Sequence, residues 1–236
     1  TYEVYADVTA PDGTTQTDVL VKTGTTSVAA YLRSLATDGG QTEATKDMAL
    51  ALLHYGAAAQ KHFATGEIAE EDLADYGMEE VSFTVGEATS DYAHTLPDGS
   101  NPAYYFSSAT LLLLDELHMK VNLDLVEGQT AAEDLAKLTL QVADNEAFTG
   151  AASYTVSART DDEGHCYLKA DFAVPTREFS KPFYVRLVDD AGNSVSSTLT
   201  YSVNTYIARM QGKGNQDEIL RTIQILGVAA ARYAQA

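Results

Sequence analysis

The chain holds one cysteine, Cys166, no tryptophan and five prolines in 236 residues. A single cysteine excludes an intrachain disulfide and any paired Cys-x-x-Cys motif. It does not exclude secretion, because bacterial surface proteins often fold without disulfides. Long apolar runs are also missing. Runs such as Leu111 to Leu114 and Met48 to Leu53 fall far short of the roughly 20 residues a membrane span needs. Basic residues are scarce, 15 Lys and Arg against 34 Asp and Glu, for a net charge of −19. Nucleic acid and anionic membrane surfaces both call for a basic face, so this balance argues against both. The acidic residues are spread along the chain, the pattern of a solvated, self-repelling surface, with a basic partner or calcium as the sharper reading. The sequence opens at Thr1 without methionine or a leader and reads as a piece of a longer protein.

What is present begins with repetition. Ser27-Val28-Ala29-Ala30-Tyr31-Leu32 is followed, after a gap, by Leu53-His54-Tyr55-Gly56-Ala57-Ala58-Ala59-Gln60-Lys61-His62-Phe63. Ser202-Val203-Asn204-Thr205-Tyr206-Ile207 is followed by Ile225-Leu226-Gly227-Val228-Ala229-Ala230-Ala231-Arg232-Tyr233. An internal repeat marks equivalent units of architecture. Hairpin patterns precede both copies, turning at Pro11-Asp12-Gly13 and at Asp190-Ala191-Gly192-Asn193, where Pro presets φ and Gly accepts φ > 0. Gly13 and Gly192 lie 179 positions apart, Ser27 and Ser202 175, and Ala57 and Ala229 172. The drift falls between elements, where deletions are tolerated.

Apolar spacing predicts helices through Met48, Leu52, Tyr55, Ala59 and Phe63, and through Leu220, Ile223, Leu226, Ala230 and Tyr233. Asn215 and Glu218 read as a capping box opening the last helix. The alanine triplets read as close helix packing. Between the copies the texture changes to short alternating runs: Val81–Val85, Thr110–Leu114, Met119–Leu125, Leu138–Val142, Tyr154–Ala158, Tyr167–Val174, Phe183–Val188 and Thr198–Tyr201. Many short strands with Asp, Gly and Asn turns predict an antiparallel β-sandwich. The expected fold is mainly β with α, a sandwich flanked by two equivalent helical hairpins. Residues 1–79 are expected to form a strand hairpin, a helical pair (the tail of a preceding unit) and a short acidic helix or linker at Glu67–Tyr76, with Thr1–Val21 lending strands to the sandwich as the alternative. Residues 80–201 form the sandwich and 202–236 the closing helical hairpin.

No catalytic constellation emerges. Among five histidines, His54 and His62 are eight apart, too far for a paired metal site on one helix. His165 and Cys166 are neighbours, and neighbours on a strand point to opposite faces. There is no Gly-x-Ser-x-Gly elbow and no phosphate-binding Gly-rich loop. The acidic clusters Asp161-Asp162-Glu163-Gly164 and Asp189–Asn193 lack the six to eight oxygens that calcium takes, so they read as turns. No metal and no cofactor is expected. The densest aromatic patch is Tyr104-Tyr105-Phe106 with Tyr92 nearby, and exposed tyrosines serve sugars and proteins alike. Tyr92, Tyr104 and Tyr105 are therefore the candidate binding residues.

The repeat itself, Ser-Val-x-x-Tyr followed by Leu52 to Phe63 with its Tyr-Gly-Ala-Ala-Ala-Gln core, resembles a module of large secreted surface proteins of anaerobic Gram-positive gut bacteria. The second copy departs from it at Gly227-Val228, where Tyr-Gly is usual. Some proteins carrying such modules are cellulosome-associated or adhesive, and some resemble immunoglobulin-binding, superantigen-type proteins. The resemblance implies an extracellular, non-enzymatic binding module, monomeric within a longer chain, whose partner is a host or matrix protein, immunoglobulin included. A carbohydrate-binding module and a passive spacer in a repeat array are the alternatives.

Overall fold

A computed structural model describes residues 2–24, 27–63, 91–96, 101–113 and 116–236. The chain is mixed α and β, with antiparallel sheets and, among the described residues, four α-helices. It divides into two units, Thr1–Val81 and Ser82–Ala236. The predicted acidic linker at Glu67–Tyr76 and the strand at Val81–Val85 lie outside the described residues.

The first unit opens with a hairpin of β1 (Tyr2–Thr9) and β2 (Thr15–Gly24). Its loop closes through Ala10 N–H to Thr14 O and Gly13 N–H to Ala10 O, both 2.9 Å, with Gly13 at φ +85°. A side chain at that φ would meet the following carbonyl, which is why glycine stands there. The helix α1 (Val28–Thr37) starts on Ser27, whose Oγ accepts from Ala30 N at 3.0 Å. The longer α2 (Glu43–Phe63) packs against it and buries Ala49, Ala51, Leu53, His54 and Ala58. None of the residues of α1 is buried.

The second unit carries two sheets. One contains β3 (Ala93–Thr95), β6 (Thr139–Ala143), β7 (Ala152–Thr155), β10 (Phe183–Val188) and β11 (Thr198–Tyr201), in the order β3-β11-β10-β6-β7. The other contains β4 (Tyr104–Leu113), β5 (Leu117–Leu125), β8 (Ser157–Thr160) and β9 (Cys166–Ala173), in the order β4-β5-β9-β8. Each strand of the core alternates buried and partly exposed residues, as a sheet with one covered face requires. Phe183, Val185 and Leu187 of β10 are buried, and so are Met119, Val121 and Leu123 of β5. The two buried faces meet where Phe172 of β9 packs edge-on against Phe183, with 5.6 Å between ring centroids.

The sheets are also joined through the backbone. Tyr104 N–H donates to Val195 O at 3.0 Å, and Ser197 N–H to Tyr104 O at 3.1 Å. The chain leaves β10 to make this bridge, which would strand polar groups in the interior. Two fully buried hydroxyls serve them: Ser196 Oγ accepts from Leu187 N at 2.8 Å and donates to Ser197 O at 2.7 Å, and Ser197 Oγ accepts from Phe106 N at 3.4 Å.

The expected single strand over Tyr154–Ala158 is two. It breaks at Val156, and β7 joins one sheet while β8 joins the other. Alternation alone cannot show such a crossing, because the apolar period continues through it.

After β11 come α3 (Val203–Met210) and α4 (Asp217–Tyr233). Ser202 Oγ accepts from Thr205 N at 3.0 Å, the same cap that Ser27 makes. The predicted capping box is absent: the helix begins on Gln216 without a side-chain cap, and Asp217 Oδ1 instead accepts from Gly212 N at 2.9 Å. The pull of the interhelical turn on Asp217 sets the helix start one residue later than the Asn215–Glu218 pattern implied. α4 buries nine of its 17 residues and packs on a 3-10 turn at Thr176–Glu178. Gly227 is the contact point. A Cβ there would lie 2.9 Å from both Cβ and Cδ2 of the buried Phe179.

Candidate functional site

The richest grouping of chemistry-bearing side chains in the second unit crosses the outer face of the β4-β5-β9-β8 sheet. Tyr105 pairs with Asp124 across β4 and β5, while their neighbours Phe106 and Leu123 point into the core. One step past the Leu123–Leu168 pair, the same outward parity reaches Tyr167, which pairs with Arg159 of β8. A row of two tyrosines with a carboxylate between them results directly from sheet register.

Asp124 is the centre. Its Oδ2 accepts from Tyr105 Oη at 3.4 Å, and its Oδ1 lies 3.2 Å from His165 Nε2. His165 reaches over from the loop before β9, with its side chain 55% exposed against 18% for Asp124. Its ring stacks on Tyr167, with centroids 6.4 Å apart and planes 18° from parallel. On the other side the His94 ring stands 6.3 Å from Tyr105 and 5.9 Å from Tyr92. The cluster thus pairs a largely covered carboxylate with imidazoles and phenol rings, with Tyr105, Asp124, Tyr167 and His94 on strands and His165 on the loop leading into β9. It can seat a cationic or hydrogen-bonding group against aromatic faces.

Tyr92 anchors the cluster from below. Its Oη donates to Phe106 O at 2.9 Å, its ring meets Tyr201 edge-on at 5.5 Å, and the Arg209 guanidinium sits 4.5 Å above it. Burial pushes the phenols of Tyr92 and Tyr201 up to about 12, against the opposing pull of Arg209. A second His–Asp pair, His118 Nδ1 to Asp171 Oδ2 at 2.9 Å, lies further along the same sheet.

The three tyrosines singled out by sequence separate. Tyr105 lies partly exposed in the row, and Tyr92 is half-buried beneath it. Tyr104 faces the other way: it is 4% exposed, and its hydroxyl accepts from Ala132 N at 2.8 Å. It is a core residue and offers no surface to a partner. Adjacent strand residues must diverge in this way. The sequence reasoning missed Asp124, His165 and Tyr167. Only the β4–β5–β9 register brings them beside Tyr105, and no local spacing announces it.

The other sequence motifs resolve as local structure. His165 turns to Asp124 while Cys166 Sγ lies 3.4 Å from Thr160 Oγ1, so the neighbouring pair diverges. Asp161 Oδ1 accepts from Glu163 N and His165 N, and Asp189 Oδ1 from Ala191 N and Asn193 N, all at 2.8–3.0 Å. These carboxylates hold hairpin loops. Among the described residues no three His, Cys, Asp or Glu side chains gather as a metal-ligand group, and no helix is long and apolar enough to cross a membrane.

Comparison with known proteins returns no matching family model, no matching curated protein and no matching solved structure.

Proposed function

We propose that the chain is a non-enzymatic binding module of an extracellular bacterial surface protein, and that it engages a host or matrix protein, immunoglobulin included. In this reading the second unit is an antiparallel β-sandwich, and the two helical pairs are equivalent hairpins flanking it. The observation that carries the proposal is the outer-face row of Tyr105, Asp124 and Tyr167 with His165 and His94 at its ends. Partly exposed rings beside a largely covered carboxylate form the surface a Lys or Arg side chain of a partner would use. The net charge of −19 favours a basic partner and speeds its encounter at low salt. Resemblance of the repeat to surface-protein modules supports the location.

The test immobilises the chain and passes immunoglobulin and fractionated host secretions over it at micromolar concentration. Retention that Tyr105→Ala and Asp124→Asn each abolish, and that weakens as salt rises, supports the reading. No retained partner, or one indifferent to both substitutions, removes it. A carbohydrate ligand is the second reading, favoured by the two tyrosine rings lying on one sheet face. A glycan array whose signal depends on Tyr105 and Tyr167 would select it instead.

A further inference from the structure

The two hairpin–helix–helix segments share local geometry and differ in what covers them. The hairpin loops match bond for bond: Ala10 N to Thr14 O and Gly13 N to Ala10 O correspond to Asp189 N to Asn193 O and Gly192 N to Asp189 O. Gly13 and Gly192 share φ values of +85° and +84°. A third loop, at Asp161–His165, has the same bonds, so loop geometry alone does not establish equivalence. The bridge Thr9–Thr15 matches Val188–Ser194, but Thr160–Cys166 flanks the third loop in the same way. The serine-capped helix that follows is the anchor that distinguishes the two copies, the Ser27 cap matching the Ser202 cap.

Aligned on these anchors, the same positions are covered in the second unit and bare in the first. Leu187 is 0% exposed and its counterpart Val8 is 43% exposed. Val203 is 0% exposed and Val28 is 77% exposed. Ile207 is buried while Leu32 is only half-covered, and α3 buries three residues where α1 buries none. In the second unit the covering elements are known: β4 lies against α3 and β11, and Phe179 lies against α4.

We infer that the bare apolar positions of the first unit, Val8 on its hairpin and Val28 and Leu32 on α1, dock against the strands of a preceding repeat, equivalent to β4 through β9 and the Phe179 turn. The internal duplicate is itself the template for the occupant. It also predicts a difference. Tyr55 stands where the second unit has Gly227, so a preceding repeat cannot place a phenylalanine where Phe179 sits. A smaller side chain is required there.

The test adds a copy of residues 82–179 directly ahead of Thr1 of the full chain, in two forms, with Phe179 retained or with Phe179→Ala in the added copy only. Amide exchange is followed in β1, β2 and α1. The expected result is slowing of α1 amides by about a hundredfold, greater in the Phe179→Ala form, in a chain that stays monomeric. Val28→Asp should erase this slowing in the extended chain and leave exchange in the chain of 236 residues unchanged. Unchanged α1 exchange in both extended forms overturns the inference, whether the added strands fail to fold on the unit or fold without covering it. So does concentration-dependent protection in the unextended chain, which would assign these positions to a second copy.

Discussion

Two glycines at near-equivalent places in α2 and α4 should respond to alanine with opposite signs. At Gly227 a new Cβ would lie 2.9 Å from Phe179 Cβ and Cδ2 and 3.2 Å from its Cγ. The nearest of these is the first atom of a side chain only 3% exposed, so it cannot swing aside. Overpacking of this kind costs about 1–3 kcal/mol. Replacing a mid-helix glycine by alanine returns about 1 kcal/mol of helix propensity. The net expectation is a loss of about 1 kcal/mol, or about 2–4 °C in Tm for a unit of this size. At Gly56 nothing lies within 4 Å of the added Cβ, so alanine there should stabilise α2 by up to about 1 kcal/mol. Pulse proteolysis in urea, with cleavage in each unit read by mass spectrometry, gives separate midpoints for the two units. Truncating the ring removes the Cγ and Cδ2 contacts and leaves room for the helix to shift from Cβ, so Gly227→Ala combined with Phe179→Ala should show a coupling of at least about 0.5 kcal/mol. A Gly227→Ala chain as stable as the parent, or a cycle with no coupling, refutes the packing argument.

Ser202→Ala should cost about 1 kcal/mol, read as a lower urea midpoint of the second unit, because its Oγ serves Thr205 N at a buried helix start. Ser27→Ala, at an exposed start, should cost less. In alkali, the Tyr92 and Tyr201 phenols keep their protons to about 12 in the folded chain and lose them near 10 when unfolded. The folded state therefore binds more protons between these values, so their contribution to stability is whole below pH 10 and is lost as pH rises towards 12. Tyr92→Phe and Tyr201→Phe should remove the latest phase of a 295 nm titration. The Asp189 carboxyl is held below its ordinary value by the side chain and backbone of Asn193. Its stabilisation is present above 3.8 and lost as pH falls through the lower folded value, so the urea midpoints of Asp189→Ala and parent should differ at pH 7 and converge at pH 2.

Much of the framework follows from local pattern. Phe183–Val188 alternates in sequence and is β10 to the residue, and the Leu220 to Tyr233 spacing gives α4. Turn chemistry placed Gly13 and Gly192 because only φ decides those positions. What escaped depends on partners distant in sequence. Val156 ends one strand and starts another because two sheets compete for the same run. Tyr104 and Tyr105 part company through pleat parity, which sequence shows, but which of the two faces outward depends on the position of the other sheet. His165 finds Asp124 across 41 residues, a distance no motif spans.

The small strand β3 has a consequence for timing. Its residues Ala93–Thr95 pair with Thr198–Thr200, roughly a hundred positions later, the widest separation of any described strand pair. Closing so long a loop comes at the largest entropic cost in the unit, and non-local pairing of this kind slows folding. His94 rides on that strand. A nascent chain that has formed its central sheets would already show Tyr105 and Asp124, but it would gain the second imidazole only once β11 had been made and β3 had zipped onto it.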